Sequence, residues 1–216
     1  MVCQTIHDAA RQGDVAAILI HINDGHDVRS RDKYGNTPLH LAANSDTVDL
    51  LVEKGSDVNA RNNKGLTPLH LASDLSVAES LFSHGGDIFA LDCKNRTPLY
   101  RAAVKGYTEI TQFLAEKGSE VDTKDKNGLT PLYSAAKYGY VEIVKILIQK
   151  GANVNTKGDS GYTALHWASG RGHAEVVKIL IEAGAEKNVL DRLSFKTPLE
   201  LAEDEVNEEV IKILKS

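Results

Sequence analysis

One tetrapeptide recurs along the whole chain. Thr37–His40 and Thr67–His70 read TPLH, Thr97–Tyr100 and Thr130–Tyr133 read TPLY, Thr163–His166 reads TALH and Thr197–Glu200 reads TPLE; Gln4–His7, QTIH, is a worn copy. The first residues stand at 4, 37, 67, 97, 130, 163 and 197, so the steps are 33, 30, 30, 33, 33 and 34. A unit of that length cannot bury its apolar side alone. Stacking against copies of itself supplies the missing partner, so the period predicts an elongated shared core rather than one or two globular ones.

Each copy has the same internal order. A Gly-centred turn such as Asp32-Lys33-Tyr34-Gly35 comes first. Thr-Pro then opens a short helix: Thr caps it, and Pro is tolerated in the first turn because its missing N–H has no helical partner there. Ala pairs such as Ala102-Ala103 and Ala135-Ala136 let neighbouring helices approach closely. A second helix carries apolar residues at helical spacing, for example Ile143, Val144, Ile146, Leu147 and Ile148. It stops at a glycine suited to left-handed backbone: Gly25, Gly55, Gly85, Gly118, Gly151 or Gly184. A short extended piece such as Asp57-Val58-Asn59 leads to the next turn.

The TPLH cores, the run Gly-Ala-Asn-Val-Asn at 151–155 and Gly-His-Ala-Glu-Val-Val-Lys-Ile-Leu at 172–180 resemble the ankyrin repeat family. The resemblance spans residues 4–214. It implies an all-α solenoid of about seven helix-turn-helix repeats with β-hairpin-like finger loops. The whole chain, 1–216, reads as a single domain with repeats near 1–33, 34–63, 64–93, 94–126, 127–159, 160–193 and 194–216, the first and last acting as caps. The charged residues Glu203, Asp204, Glu205, Glu208, Glu209, Lys212 and Lys215 give the last copy a polar outer side. The resemblance also implies that His7, His40, His70 and His166 tie the loop of one repeat to the next.

Several positions depart from the pattern. Copies two and three are three residues short, and the spacing puts the loss in the turns at 43–48 and 73–78. Position 164 is Ala instead of Pro. Asn95 stands where a finger glycine belongs, and Asn tolerates left-handed backbone. The last finger, 190–195, has one extra residue and puts Phe195 at the glycine position, so Leu193 and Phe195 are expected either to be exposed or to fold back.

No catalytic constellation emerges. Histidines 21, 26, 84 and 173 have no partner at metal-ligand spacing, and there is no His-Glu-x-x-His, Cys-x-x-Cys, Gly-x-Ser-x-Gly or phosphate-binding loop. Gly170-Arg171-Gly172 reads as a turn between helices. Asn95-Arg96-Thr97 matches a glycosylation sequon, but nothing else indicates secretion. The two cysteines, Cys3 and Cys93, cannot staple a secreted framework, and Cys93 reads as an exposed thiol near a finger tip. The N-terminal stretch lacks the basic start and apolar run of a signal peptide, and no window approaches a membrane span. These features predict a non-enzyme without cofactor or metal, monomeric, not bound to membrane and cytoplasmic, with delivery into a host cell as a bacterial effector also open.

The net charge of −5 argues against a bulk polyanion binder. It is unevenly spread. The seven residues before each core, from the second copy onward, hold eleven basic residues and five acidic ones, an excess of +6 that leaves −11 for the rest. The basic set is Arg31, Lys33, Arg61, Lys64, Lys94, Arg96, Lys124, Lys126, Lys157, Arg192 and Lys196. Tyr and Arg are the side chains most often found at binding hot spots. Arg96, Lys105, Lys137, Tyr138, Tyr162 and Arg171 therefore form the candidate centre of a partner site, with Lys33, Tyr34, Lys64, Lys94 and Lys126 around it. Trp167 lies on the first helix beside the Ala pair and is not assigned to the site, because in the family that the chain resembles Trp there also occurs as a packing residue. Through the family resemblance these positions imply a protein–protein interaction scaffold whose concave face takes a partner protein of acidic or mixed charge. Binding of nucleic acid or another polyanion by the basic fingers is the alternative.

Overall fold

The computed structural model describes residues 5–216. The chain divides into two compact units, residues 1–93 and 94–216. In the first unit α1 (Ile6–Gln12) pairs with α2 (Val15–Asn23), a 3-10 turn (Pro38–Leu41) with α3 (Ser45–Glu53), and α4 (Pro68–Leu71) with α5 (Leu75–Ser83). In the second, α6 (Pro98–Lys105) pairs with α7 (Thr108–Glu116), α8 (Pro131–Tyr138) with α9 (Val141–Gln149), α10 (Ala164–Gly170) with α11 (Ala174–Glu182), and α12 (Pro198–Asp204) with α13 (Glu208–Lys215). Within the second unit α6, α8, α10 and α12 stack as one layer, and α7, α9, α11 and α13 as another.

Packing follows the sequence period. The Leu of each core tetrapeptide is buried from Leu39 to Leu165, and each second helix from α2 to α11 buries at least one of Ile18, Leu51, Leu81, Leu114, Leu147 and Leu180 completely. Ala103, Ala135, Ala136 and Ala168 of the first helices are fully buried. Emptying one such Leu site to Ala costs about 2–5 kcal/mol.

The helix starts are polar and nearly identical. Thr97, Thr130, Thr163 and Thr197 each accept a backbone N–H from the third helical residue. Where that residue is His, a relay forms. The His40 Nδ1 accepts the Thr37 backbone N–H at 3.1 Å, with the Thr37 hydroxyl at 2.9 Å. Nδ1 is thus the acceptor, so the proton sits on Nε2, which donates to the Leu66 carbonyl in the next finger at 2.9 Å. His166 repeats this with Thr163 and the Lys196 carbonyl. His7 donates to the carbonyls of Ser30 and Asn36. The worn first copy keeps this His register but is capped one residue later. Thr5 is the N-cap, in a reciprocal capping box with Asp8, and Gln4 lies outside the described residues.

Copies two and three differ from the spacing-based expectation. Their turns are not what is shortened; their first helices are. Pro38–Leu41 and Pro68–Leu71 have four residues, against eight in α6 and α8. The chain leaves them extended at Ala42 and Ala72, with ψ of 125° and 126°. Three residues are almost one helical turn, so removing that turn restores the phase of the second helix. Asn44 and Asp74 then cap α3 and α5 with their side chains, whereas Tyr107, Tyr140 and His173 at the same place make no side-chain cap.

Among the described residues no strand forms. The fingers are turns, joined by single backbone bonds: Asn63 N–H to Tyr34, Cys93 to Lys64, Lys126 to Lys94, Asp159 to Asn127 and Arg192 to Ser160. Asn95 takes the expected left-handed backbone at φ 59°. Phe195 does too, at φ 54°, and both Leu193 (73%) and Phe195 (72%) are exposed. The terminal repeats differ: α13 presents Glu208, Glu209, Lys212 and Lys215 outward, while α2 exposes Leu19 and Ile20.

Burial holds the His40 and His166 imidazoles below their ordinary pKa. The unfolded chain therefore takes up these protons first. Stability is fully present above about pH 6.5, the unfolded value, and declines as pH falls below it. NMR titration should place both midpoints under about 6.5, and the urea midpoint should drop from pH 7 to pH 5. Phe195→Gly should raise stability by about 0.5–1 kcal/mol, since it removes a left-handed-backbone penalty from an exposed side chain; urea unfolding measures it.

Candidate partner-binding surface

The fingers sort charge by orientation. Asp32 accepts the N–H groups of Tyr34 and Asn36, and Asp125 those of Asn127 and Leu129. Asp191 accepts those of Leu193, Ser194 and Lys196 and the Ser194 hydroxyl. Burial opposes the charge of Asp32 and Asp191, yet these hydrogen bonds hold both carboxyls below the ordinary range, Asp191 far below it. Asp92 and Asp191 are buried, Asp32 and Asp125 half-buried, and of the five finger carboxylates only Asp159 is exposed. Nine of the eleven finger cations are exposed; Arg96 and Lys196 are half-buried. The outward charge is thus more basic than the sequence sum.

Some of those cations serve the fold. Arg31 donates to the carbonyls of Gly35 and Arg61, and Arg61 to that of Leu91. These guanidiniums stitch one finger to the next.

Lys33, Tyr34 and Lys64 lie on the first unit, with the Lys33 ammonium 5.1 Å from the Tyr34 ring centre. The other eight expected residues lie on the second. Lys94, Lys126 and Lys105 are exposed, Lys105 at the end of α6, and Arg96 lies beside Tyr100. Lys137, Tyr162 and Arg171 are drawn together around one side chain, Trp167, and Tyr138 lies beside Lys137. The Lys137 ammonium sits 4.2 Å from the indole centre and the Arg171 guanidinium 5.5 Å from it. Tyr162 lies 5.6 Å away, ring centre to ring centre, and Lys137 also reaches Tyr138 at 6.0 Å.

Trp167 is the residue that sequence reasoning underweighted. It is half-buried and central, not a simple core residue. Its indole N–H donates to the Tyr133 hydroxyl of the preceding repeat, and the two rings meet edge-on with centres 6.0 Å apart. Tyr133 occupies the His position of its tetrapeptide, and burial pushes its hydroxyl pKa up, keeping the phenol neutral. The available signal was a lone tryptophan flanked by Tyr162 and by Arg171 one helical turn on. A pocket of about 240 Å³ adjoins it, lined by Tyr162, His166, Trp167, Gly170, Arg171, Leu201, Asp204 and Glu205.

The sequence matches the family described as ankyrin repeats (three copies) over residues 6–92, 73–158, 117–191 and 156–216. The structure is similar to the crystal structure of the ankyrin repeat domain of Bcl-3, described as a unique member of the IkappaB protein family. That match has 32% identity and a TM-score of 0.78, covering 98% of this chain and 97% of that one. Among curated protein sequences none matches. The chain belongs to the ankyrin repeat family, whose repeats are generally protein–protein interaction modules. Among the described residues no helix is long and apolar enough to cross a membrane.

Tyr133→Phe should release the indole N–H, lower stability by about 1 kcal/mol and shift the emission of Trp167, the only tryptophan in the chain. Urea unfolding and fluorescence check the two effects.

Proposed function

We propose that this chain is a non-catalytic scaffold that binds a partner protein through its finger and first-helix face, with the centre of the site on Arg96, Lys105, Lys137, Tyr138, Tyr162 and Arg171. The observation that carries this reading is the convergence of Lys137, Tyr162 and Arg171 on the half-buried Trp167, with Tyr138 against Lys137. Aromatic and arginine side chains clustered beside a pocket are the composition of an interface hot spot. The outward-facing finger lysines, Lys33, Lys64, Lys94 and Lys126 among them, favour a partner of acidic or mixed charge and speed its encounter more than they set final affinity. Helices fixed by packing lose little conformational entropy on binding.

Affinity capture with mass spectrometry identifies the partner, using a chain with Arg96→Ala, Tyr138→Ala and Arg171→Ala as control. A hot spot contributes about 2 kcal/mol or more, so the captured partner should bind that variant roughly thirtyfold or more weakly, with the helical circular dichroism unchanged. Undiminished binding would refute the patch. A gel shift with heterogeneous DNA and RNA tests the polyanion alternative, which demands affinity that falls steeply with salt.

A further inference from the structure

Two cations converge on Trp167, and neither makes an ion pair among the described residues. Elsewhere in the second unit Lys145 pairs with Glu142, Lys178 with Glu175 and Glu209, and Lys215 with Glu203. Lys196 pairs with Asp204. Lys137 and Arg171 instead have only aromatic faces, 4.2 and 5.5 Å from the same indole centre. Contact with a ring face leaves a cation's hydrogen-bond donors available at its edge.

The pocket adjoins the indole toward repeat seven, where Leu201, Asp204 and Glu205 line it, and Lys137 is not among its lining residues. Its apolar walls are Trp167, Tyr162 and Leu201, and Arg171 belongs both to its rim and to the cation pair. At about 240 Å³ it is smaller than the roughly 300–1,000 Å³ of small-molecule sites, which suits a single apolar side chain. Its far wall carries Asp204 and Glu205. Those carboxylates repel a negative group in the pocket itself and leave the Lys137 side as the favourable place for one.

We infer that Trp167 is a two-part receptor for a short acidic peptide segment of the partner. A carboxylate, or two adjacent ones, engages Lys137 and Arg171, and a neighbouring aromatic or leucine side chain fills the pocket between Trp167 and Leu201. The inference rests on the protein-binding reading above and narrows it to one class of partner sequence. The segment has a direction: its acidic residues point to repeat five and its apolar anchor to repeat seven. The bond from Trp167 to Tyr133 holds the indole in place before binding, which lowers the ordering cost. A continuous phosphate backbone fits worse, since it would have to pass Asp204 and Glu205.

The test is a displayed random-peptide library selected on the full chain, with a Lys137→Ala/Arg171→Ala chain of unchanged circular dichroism for counter-selection. Enriched peptides are then titrated as free peptides against the single-tryptophan fluorescence. The expected result is enrichment of aspartate or glutamate beside an aromatic residue or leucine. These peptides should shift Trp167 emission saturably and bind at least tenfold more weakly to Lys137→Ala and to Arg171→Ala, and less weakly to Arg171→Lys. Patch-dependent peptides that are basic or uncharged would overturn the inference and leave the protein-binding reading standing. Competition by a single-stranded oligonucleotide at lower concentration than the peptides would also overturn it. The absence of any peptide whose enrichment depends on Lys137 and Arg171 would overturn both.

Discussion

A neutral imidazole held between two backbones is the interaction on which the repeats depend. In Thr37–His40 and Thr163–His166 the ring accepts the N–H of its own N-cap residue and donates to a carbonyl of the following finger. One side chain thereby closes a helix start and fixes the next loop. Both bonds require the same tautomer, with the proton on Nε2. Protonation would turn Nδ1 into a donor facing another donor, and burial already disfavours the charge. The relay therefore specifies geometry without placing a charge in the core.

Repeats four and five lack that histidine, and the change has structural consequences. Tyr100 reaches the Asp125 carboxylate of the next finger and the Ser134 hydroxyl. Tyr133 reaches the Trp167 indole. A phenol is longer than an imidazole and its oxygen can accept, so it holds a side chain where histidine holds a backbone carbonyl. The binding surface proposed around Trp167 grows from this exchange: an element of the repeat's internal support becomes the support of an aromatic platform, and Lys137 and Arg171 settle on that platform.

Finger chemistry works in the same economical way. A turn whose backbone N–H groups point inward needs an acceptor, and Asp32, Asn62, Asp125 and Asp191 supply it. The carboxylates are consumed by the turn, while lysine, with a long stem and a strongly hydrated head, stays outside. Segregation of charge to the finger edge is thus partly a by-product of building turns. Arg31 and Arg61 show the converse, cations spent on joining neighbouring fingers.

The sequence by itself determined the repeat, its register and its class of fold. Period, Thr-Pro starts, Ala pairs and glycine stops are local requirements that each copy restates, so they are legible without coordinates. The left-handed backbone at Asn95 was legible too, because a residue at a glycine position has few other options; for Leu193 and Phe195 the sequence allowed either exposure or folding back, and the structure exposes both. Spacing could count the three residues missing from repeats two and three but misplaced them. Whether a deletion shortens a turn or a helix depends on which choice keeps the following helix in phase with its neighbours. Only the tertiary structure decided which of the eleven candidates meet: it gathers Lys137, Tyr162 and Arg171 around Trp167, with Tyr138 beside Lys137. The physical reason is that Lys137 and Tyr133 reach Trp167 from the preceding repeat, Tyr133 across 34 residues of sequence, where stacking sets the distance and no local spacing rule applies.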